Sequence, residues 1–355
     1  VIVFNFNGMV HKALISFGVI DLNWKEIGKI DISMDKVLDT RADVFSYNNK
    51  IIVNEVNEIA LYDHDGNLIE RKGINTDSST LLGMENYFAV VDNLQGNIYI
   101  LDYYGGYVGE VNHLGPIEKA VAANNDVFVV ITADNHFLVF DYEGNEISNI
   151  QLSSGRLLGL DISKDKKLVL VTLLSSDEKK YNSKLITYSL DTNSMLGAHN
   201  NYNSIVYGAR IYDQVILIVD FNGLHAYMIN EENSFLWERE RTGSLINFEI
   251  DENGNVYEIN ERKEVDTFTI HNLVCINKDG KEIFTKELDE DYRSLSLKRG
   301  QILLVSDFKI LILNSAGEEI QSFESNDRVM DAEWLSENRI LVEYNNYIEI
   351  LELAY

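Results

Sequence analysis

The sequence predicts an all-β chain: a single β-propeller of four-stranded antiparallel blades, closed by strands from its two ends. The count is eight blades, with seven as the alternative, because the first and fourth blades match the pattern loosely. Three observations lead there. One phrase recurs, an apolar strand, a polar turn with Gly and a second strand: ALYDHDGNLIE around Gly66, YILDYYGGYVGE around Gly105, LVFDYEGNEIS around Gly144, LVCINKDGKEIF around Gly280 and LILNSAGEEIQ around Gly317. The first three glycines are 39 residues apart and the last two 37, the period of a propeller blade. Nearly continuous apolar runs such as FAVVDN, VFVVIT, QVILIVD and QILLVSD fit strands covered on both faces by neighbouring sheets. Finally, the last repeat stops after three strands, and WKEIGKIDIS near the start supplies a fourth, which removes an open sheet edge.

Each blade is read as strands A to D in chain order. The first takes DTRADVFSY, KIIVNEV, EIALYDH and NLIERKG; the second STLLGME, YFAVVDN, NIYILDY and YVGEVNH; the third IEKAVAA, DVFVVITA, HFLVFDY and NEISNIQ. The fourth takes LLGLDIS, KLVLVTLL, KLITYSLD and a short strand near Met195; the fifth SIVYGARI, QVILIVD, LHAYMIN and SFLWERE. The sixth takes SLINFEID, NVYEINE, FTIHNLVCIN and KEIFTKEL; the seventh YRSLSLKR, QILLVSD, KILILNS and EEIQSFE; the last RVMDAEWL, RILVEYN and YIEILEL. Residues 1–22 find no place in this count, so the propeller domain is set at 23–355.

Composition narrows the function classes. With 57 acidic against 30 basic residues the formal charge is −27, which repels phosphate backbones and anionic lipid surfaces and argues against nucleic-acid binding. A single cysteine, Cys275, excludes an intramolecular disulfide and any multi-cysteine zinc site. The most apolar stretch, VIVFNFNGMVHKALISFGVI, is broken by Asn5, Asn7, His11 and Lys12 and does not read as a helix in lipid. The chain begins at Val1 rather than Met, so a signal peptide or anchor is expected upstream.

The order of LVFDYEGNEI, GLDISKDKKLVLVTL, KLITYSL, NLVCINKDGKEI and ILILNSAGEEI, with the closing NRILVEYNNYIEILEL, resembles a bacterial family of unknown function, DUF5711, over roughly residues 40–355. That resemblance implies a membrane-spanning N-terminal helix followed by an extracytoplasmic propeller. The repeats are also similar to WD40-like propellers and to the pyrroloquinoline-quinone-like repeat, whose blade ends in Trp. Only Trp237, in FLWERE, and Trp24, in LNWKE, keep that residue, which speaks against quinone-enzyme activity.

Candidate sites come from the loops between strands B and C. Most blades carry an acid there: Glu55, Asp92, Asp134, Asp177, Asp220, Glu261 and Asp307. Together they could rim one mouth of a central channel and attract cations or a basic peptide; equally, Asp is a common hairpin-turn residue. The turn Asp63-His64-Asp65-Gly66-Asn67 has calcium-loop chemistry but not its spacing, and reads as a β-turn. His271 and Cys275 share a strand face but have no second ligand pair, and read as core. No HExxH, GxSxG or phosphate-loop pattern occurs. The reading is therefore a non-catalytic, monomeric binding or scaffolding module, tethered outside a membrane, using no cofactor or metal and engaging a protein or a cell-envelope glycan. The alternative is a polysaccharide-active hydrolase or lyase, or a quinoprotein-like enzyme.

Overall fold

The computed structural model describes residues 24–353, apart from 33, 36–39, 42, 48, 56–57, 75, 77–78, 103, 124–125, 152–154, 166, 178–179, 193, 203, 230–233 and 265–267. It is an eight-bladed β-propeller of four-stranded antiparallel sheets. Strands A to D of blade 1 are Asp43–Tyr47, Lys50–Glu55, Glu58–Tyr62 and Leu68–Gly73. Blade 2 is Ser79–Gly83, Tyr87–Asp92, Asn97–Asp102 and Tyr107–Val111; blade 3 is Ile117–Ala123, Val127–Thr132, His136–Asp141 and Glu146–Gln151. Blade 4 is Arg156–Ile162, Leu168–Asp177, Lys180–Ser189 and Ser194–Tyr202; blade 5 is Val206–Tyr212, Val215–Asp220, Gly223–Met228 and Ser234–Glu240. Blade 6 is Ser244–Ile250, Val256–Glu264, Phe268–Ile276 and Glu282–Leu288; blade 7 is Ser294–Lys298, Gln301–Val305, Lys309–Leu313 and Glu319–Glu324. Blade 8 is Asp331–Trp334, Arg339–Glu343, Tyr347–Leu353 and, from the start of the chain, Trp24–Asp31.

The count of eight stands over seven. Blade 4 is not loose at all: its B and C strands are the longest in the chain, and its D strand runs nine residues instead of a short piece near Met195. Blade 1 begins later than the sequence suggests, at Asp43, and Met34–Asp35 pairs with Thr40–Arg41 in a separate small hairpin. The segment 1–22 lies outside the described residues. No helix among the described residues is long and apolar enough to cross a membrane.

The chain divides into two compact units. Asn54–Leu61 with Glu70–Asp289 holds blades 2 to 6; Val1–Val53, Tyr62–Ile69 and Glu290–Tyr355 hold blades 7 and 8. In both, the core is a series of apolar layers between successive sheets. Ile98, Ile100, Phe128 and Val130 fill the layer between blades 2 and 3, and Leu217, Val219, Ile250 and Val256 the layer between 5 and 6. Leu303, Ile310, Ile340 and Val342 do the same between blades 7 and 8. This is why a B strand such as Val127–Thr132 reads as an unbroken apolar run: it has blade 2 against one face and blade 4 against the other.

The recurrent turn joins strands C and D. Asp63, Asp102, Asp141, Asn277 and Asn314 each accept backbone N–H groups two and four residues on, at 2.8–3.0 Å. The glycine three residues on takes φ between 78° and 85°, where a Cβ is strained. Asp63 is thus spent on its own turn, and hydrogen bonds from Asn67 and Asp65 help hold its carboxyl below the usual range against the opposing effect of burial.

Candidate ligand-binding cleft

The positions of strand B can be matched between blades, because strand A carries a one-residue bulge at the same place in blades 3, 4, 5 and 6. Opposite the second residue after the bulge stand Val130, Val171 and Ile218, all buried. In blade 6 that position is Glu258, 2% exposed. A carboxylate has replaced an aliphatic side chain in the middle of the sheet.

Arg241, in the link from blade 5 to blade 6, holds it. Its Nη2 and Nε donate to Glu258 Oε1 at 2.6 and 3.1 Å, and the two side chains are 2% and 3% exposed. The rest of the guanidinium donates to the carbonyls of Asp220 at 2.6 Å and of Phe221 and Gly223 at 3.3 Å. Asp220 shapes that carbonyl nest, since its Oδ1 accepts the N–H groups of Asn222 and Gly223 at 2.8 and 2.9 Å. Asn260, two residues beyond Glu258 and 4% exposed, donates Nδ2 to Glu258 Oε2 at 3.3 Å, while its Oδ1 is buried without a hydrogen-bond partner.

These groups wall a cavity of about 310 Å³ against the face of blade 6. Across that sheet, Asn260 stands opposite Asn272, and Asn272 opposite Glu287. Glu258 stands opposite Val274, and Val274 opposite Thr285. Leu224, Ile270 and Ile276 add an aliphatic wall, and Arg239 crosses to an ion pair with Glu282, whose carboxyl that pair and the Thr285 hydroxyl hold low. The B and C strands of blade 6 are nine residues each against six each in blade 5, so the hairpin outreaches its neighbour.

Five of the seven predicted acids, Asp92, Asp134, Glu55, Asp307 and Asp220, have hydrogen-bond or ion-pair partners. Asp92 is buried and accepts the N–H groups of Leu94 and Gln95, both at 3.0 Å. Asp134 accepts from the Thr132 hydroxyl, which lowers its pKa, and lies 3.7 Å from His136. Glu55 pairs with Arg71 at 3.2 Å, and Asp307 pairs with Arg293 and Arg328. Asp220 lies 3.1 Å from His225 in addition to its turn. Glu261 is half-buried on strand B of blade 6, opposite His271. Asp177 ends strand B of blade 4, and its side chain lies outside the described residues. Asp220 is tied to the cleft, through its carbonyl on Arg241 and the turn its carboxylate shapes. Glu258, Arg241 and Asn260 were not singled out from the sequence, although VYEINE, where kindred strands read VILIVD and VFVVIT, carries the signal.

His271 and Cys275 are both buried, and burial pushes the Cys275 thiol up to about 12. No cluster of three His, Cys, Asp or Glu side chains suited to a metal occurs among the described residues.

The fold is similar to several solved propellers. A computationally designed protein, Ika8, matches with a TM-score of 0.71 at 11% identity, covering 93% of this chain and all of its own. The C-terminal WD40 domain of Sif2 matches at 0.67 and 12% identity, over 95% of this chain and all of that domain. BamB from Moraxella catarrhalis matches at 0.59 and 12% identity, over 93% of this chain and all of that one. No curated protein matches the chain. Residues 28–353 match the model of a family of unknown function, DUF5711, and the chain belongs to that family.

Proposed function

We propose that this protein is a non-catalytic binding module, tethered outside a bacterial membrane, and that the cleft on blade 6 receives its ligand, a cell-envelope protein or glycan. One observation carries the reading: Glu258 and Arg241 are buried as a pair where Val130, Val171 and Ile218 serve in the sister blades. Replacing such a pair by aliphatic residues is often neutral or stabilising by about 1–4 kcal/mol. Stability alone therefore gives no reason to keep it. A ligand that needs Asn260 and the adjacent polar row held in place does give one, since Glu258 anchors the Asn260 amide. A cleft of this size sits at the small end of ligand pockets, about 300–1,000 Å³.

The test is the double variant R241M/E258V. Its melting temperature is expected to equal or exceed that of the parent. In a thermal-shift screen of envelope glycans and peptides, the parent gains stability with its ligand and the variant does not. A parent that responds to nothing, or a variant that responds equally, overturns the assignment.

A further inference from the structure

We infer that the ligand of this cleft is a neutral, hydroxyl-rich molecule of sugar size; this rests on the cleft being the binding site. Of the seven charged residues on its walls, four are joined in two ion pairs, and Arg262, Glu240 and Glu287 complete the set. Arg241 is saturated by Glu258 and three carbonyls, and Arg239 is paired with Glu282. An anion therefore finds neither of these guanidinium groups free, and must also enter a protein of formal charge −27. A cation would have to compete with Arg241 and Arg239 for the carboxylates of Glu258 and Glu282.

Among the residues that line the space is a row of two amides and one acid, Asn260, Asn272 and Glu287, side by side across three strands. Asn260 is locked in one orientation: its Nδ2 is on the Glu258 carboxylate, so a flip would set Oδ1 against that carboxylate. Its Oδ1 lacks a donor, and an unsatisfied buried acceptor costs about 1–3 kcal/mol. A ligand hydroxyl that displaces the packing which seals Oδ1 supplies that donor without bringing a charge. On strand C, Ile270 flanks Asn272 on one side and Val274 and Ile276 on the other, so aliphatic side chains border the polar row. A sugar ring matches both, with hydroxyls at its rim and C–H groups on its face.

The probes are the methyl glycosides of glucose, galactose, mannose and N-acetylglucosamine, with choline and inorganic phosphate as charged counterparts. Saturation-transfer NMR on the full chain reads binding in the parent and in N260L. Leucine is the residue blade 4 carries at the matching position, Leu173, so N260L is expected to fold with an unchanged or higher melting temperature. At least one glycoside is expected to bind the parent at millimolar concentration and N260L at least tenfold more weakly. If choline or phosphate binds in an Asn260-dependent way while the glycosides do not, the sugar class is wrong and the cleft remains a binding site. Glycoside binding that N260L leaves unchanged overturns this inference. Failure of every probe does so too, and the thermal-shift screen then decides separately whether the cleft binds anything.

Discussion

At the scale of single residues, the chain holds several ionisable groups away from water, and each makes a measurable claim. Glu333, on strand A of blade 8, has its Oε1 sealed without a partner. Burial first, and then the neighbouring Glu343 and Asp331, push its pKa from 4.5 up to about 7, against hydrogen bonds at Ser46. A raised carboxyl favours the protonated fold. Its stabilising contribution is complete below about pH 4.5 and is lost as pH rises through about 7, a difference of the order of 3 kcal/mol. Chemical denaturation across that window is expected to show the decline in the parent and not in E333Q; parallel curves would refute it. Cys275 is fully buried with its thiol raised to about 12. It is therefore expected to resist a thiol reagent in the native state and react at once in denaturant. Neither property was legible in the sequence. A carboxyl or thiol shifts only when the fold decides what covers it, and the sequence reading of Cys275 went no further than placing it in the core.

The turns and single strands follow local rules far more closely. The Asx-Gly turn is written into five repeats, and its hydrogen bonds close within four residues, so no tertiary contact is needed to foresee it. Tertiary packing then loads one of these turns. The Trp237 ring lies on the blade 6 turn, its Nε1 donating to the Lys278 carbonyl at 2.9 Å, and a Cβ on Gly280 would stand 2.8 Å from that ring. Gly115 has nearly the same φ, +76° against +78°, with nothing near its missing Cβ. Both G280A and G115A incur the left-handed penalty of about 1–2 kcal/mol. G280A is expected to lose more, and the gap in urea midpoints measures the Trp237 contact; equal losses would show the ring simply steps aside. The full length of strand D of blade 4, SMLGAHNNY, escaped the sequence reading, which placed only a short strand near Met195, because it has no clean alternation of apolar and polar residues. It is a strand because it pairs with Asn182–Ser189 along its whole length.

At the scale of the molecule, blade 8 joins the two chain ends. Trp24–Asp31 pairs antiparallel with Tyr347–Leu353. Trp24 also donates Nε1 to the Ser322 carbonyl at 3.2 Å, and Lys29 stands 3.4 Å above the Tyr347 ring. Without this strand the edge at 347–353 is bare, and an open apolar edge recruits other chains. Deleting residues 24–31 is expected to produce concentration-dependent light scattering and rapid amide exchange at 347–353. A monomeric deletion protein with protected amides would mean that this strand is ornamental.

The sequence by itself determined the blade repeat, the Asx-Gly turns and the joining of the ends, because periodicity, turn chemistry and alternation act over a few neighbouring residues; the structure decided eight blades over seven. The sequence also carried, unread, the exception at Glu258, an acid inside an otherwise apolar strand. Only the tertiary structure brought Arg241 from the link before blade 6 onto that acid, with the Asp220 loop around it and Asn260 beside it. Those partners come from three separate stretches of chain, and a buried charge is tolerated only when all of them converge.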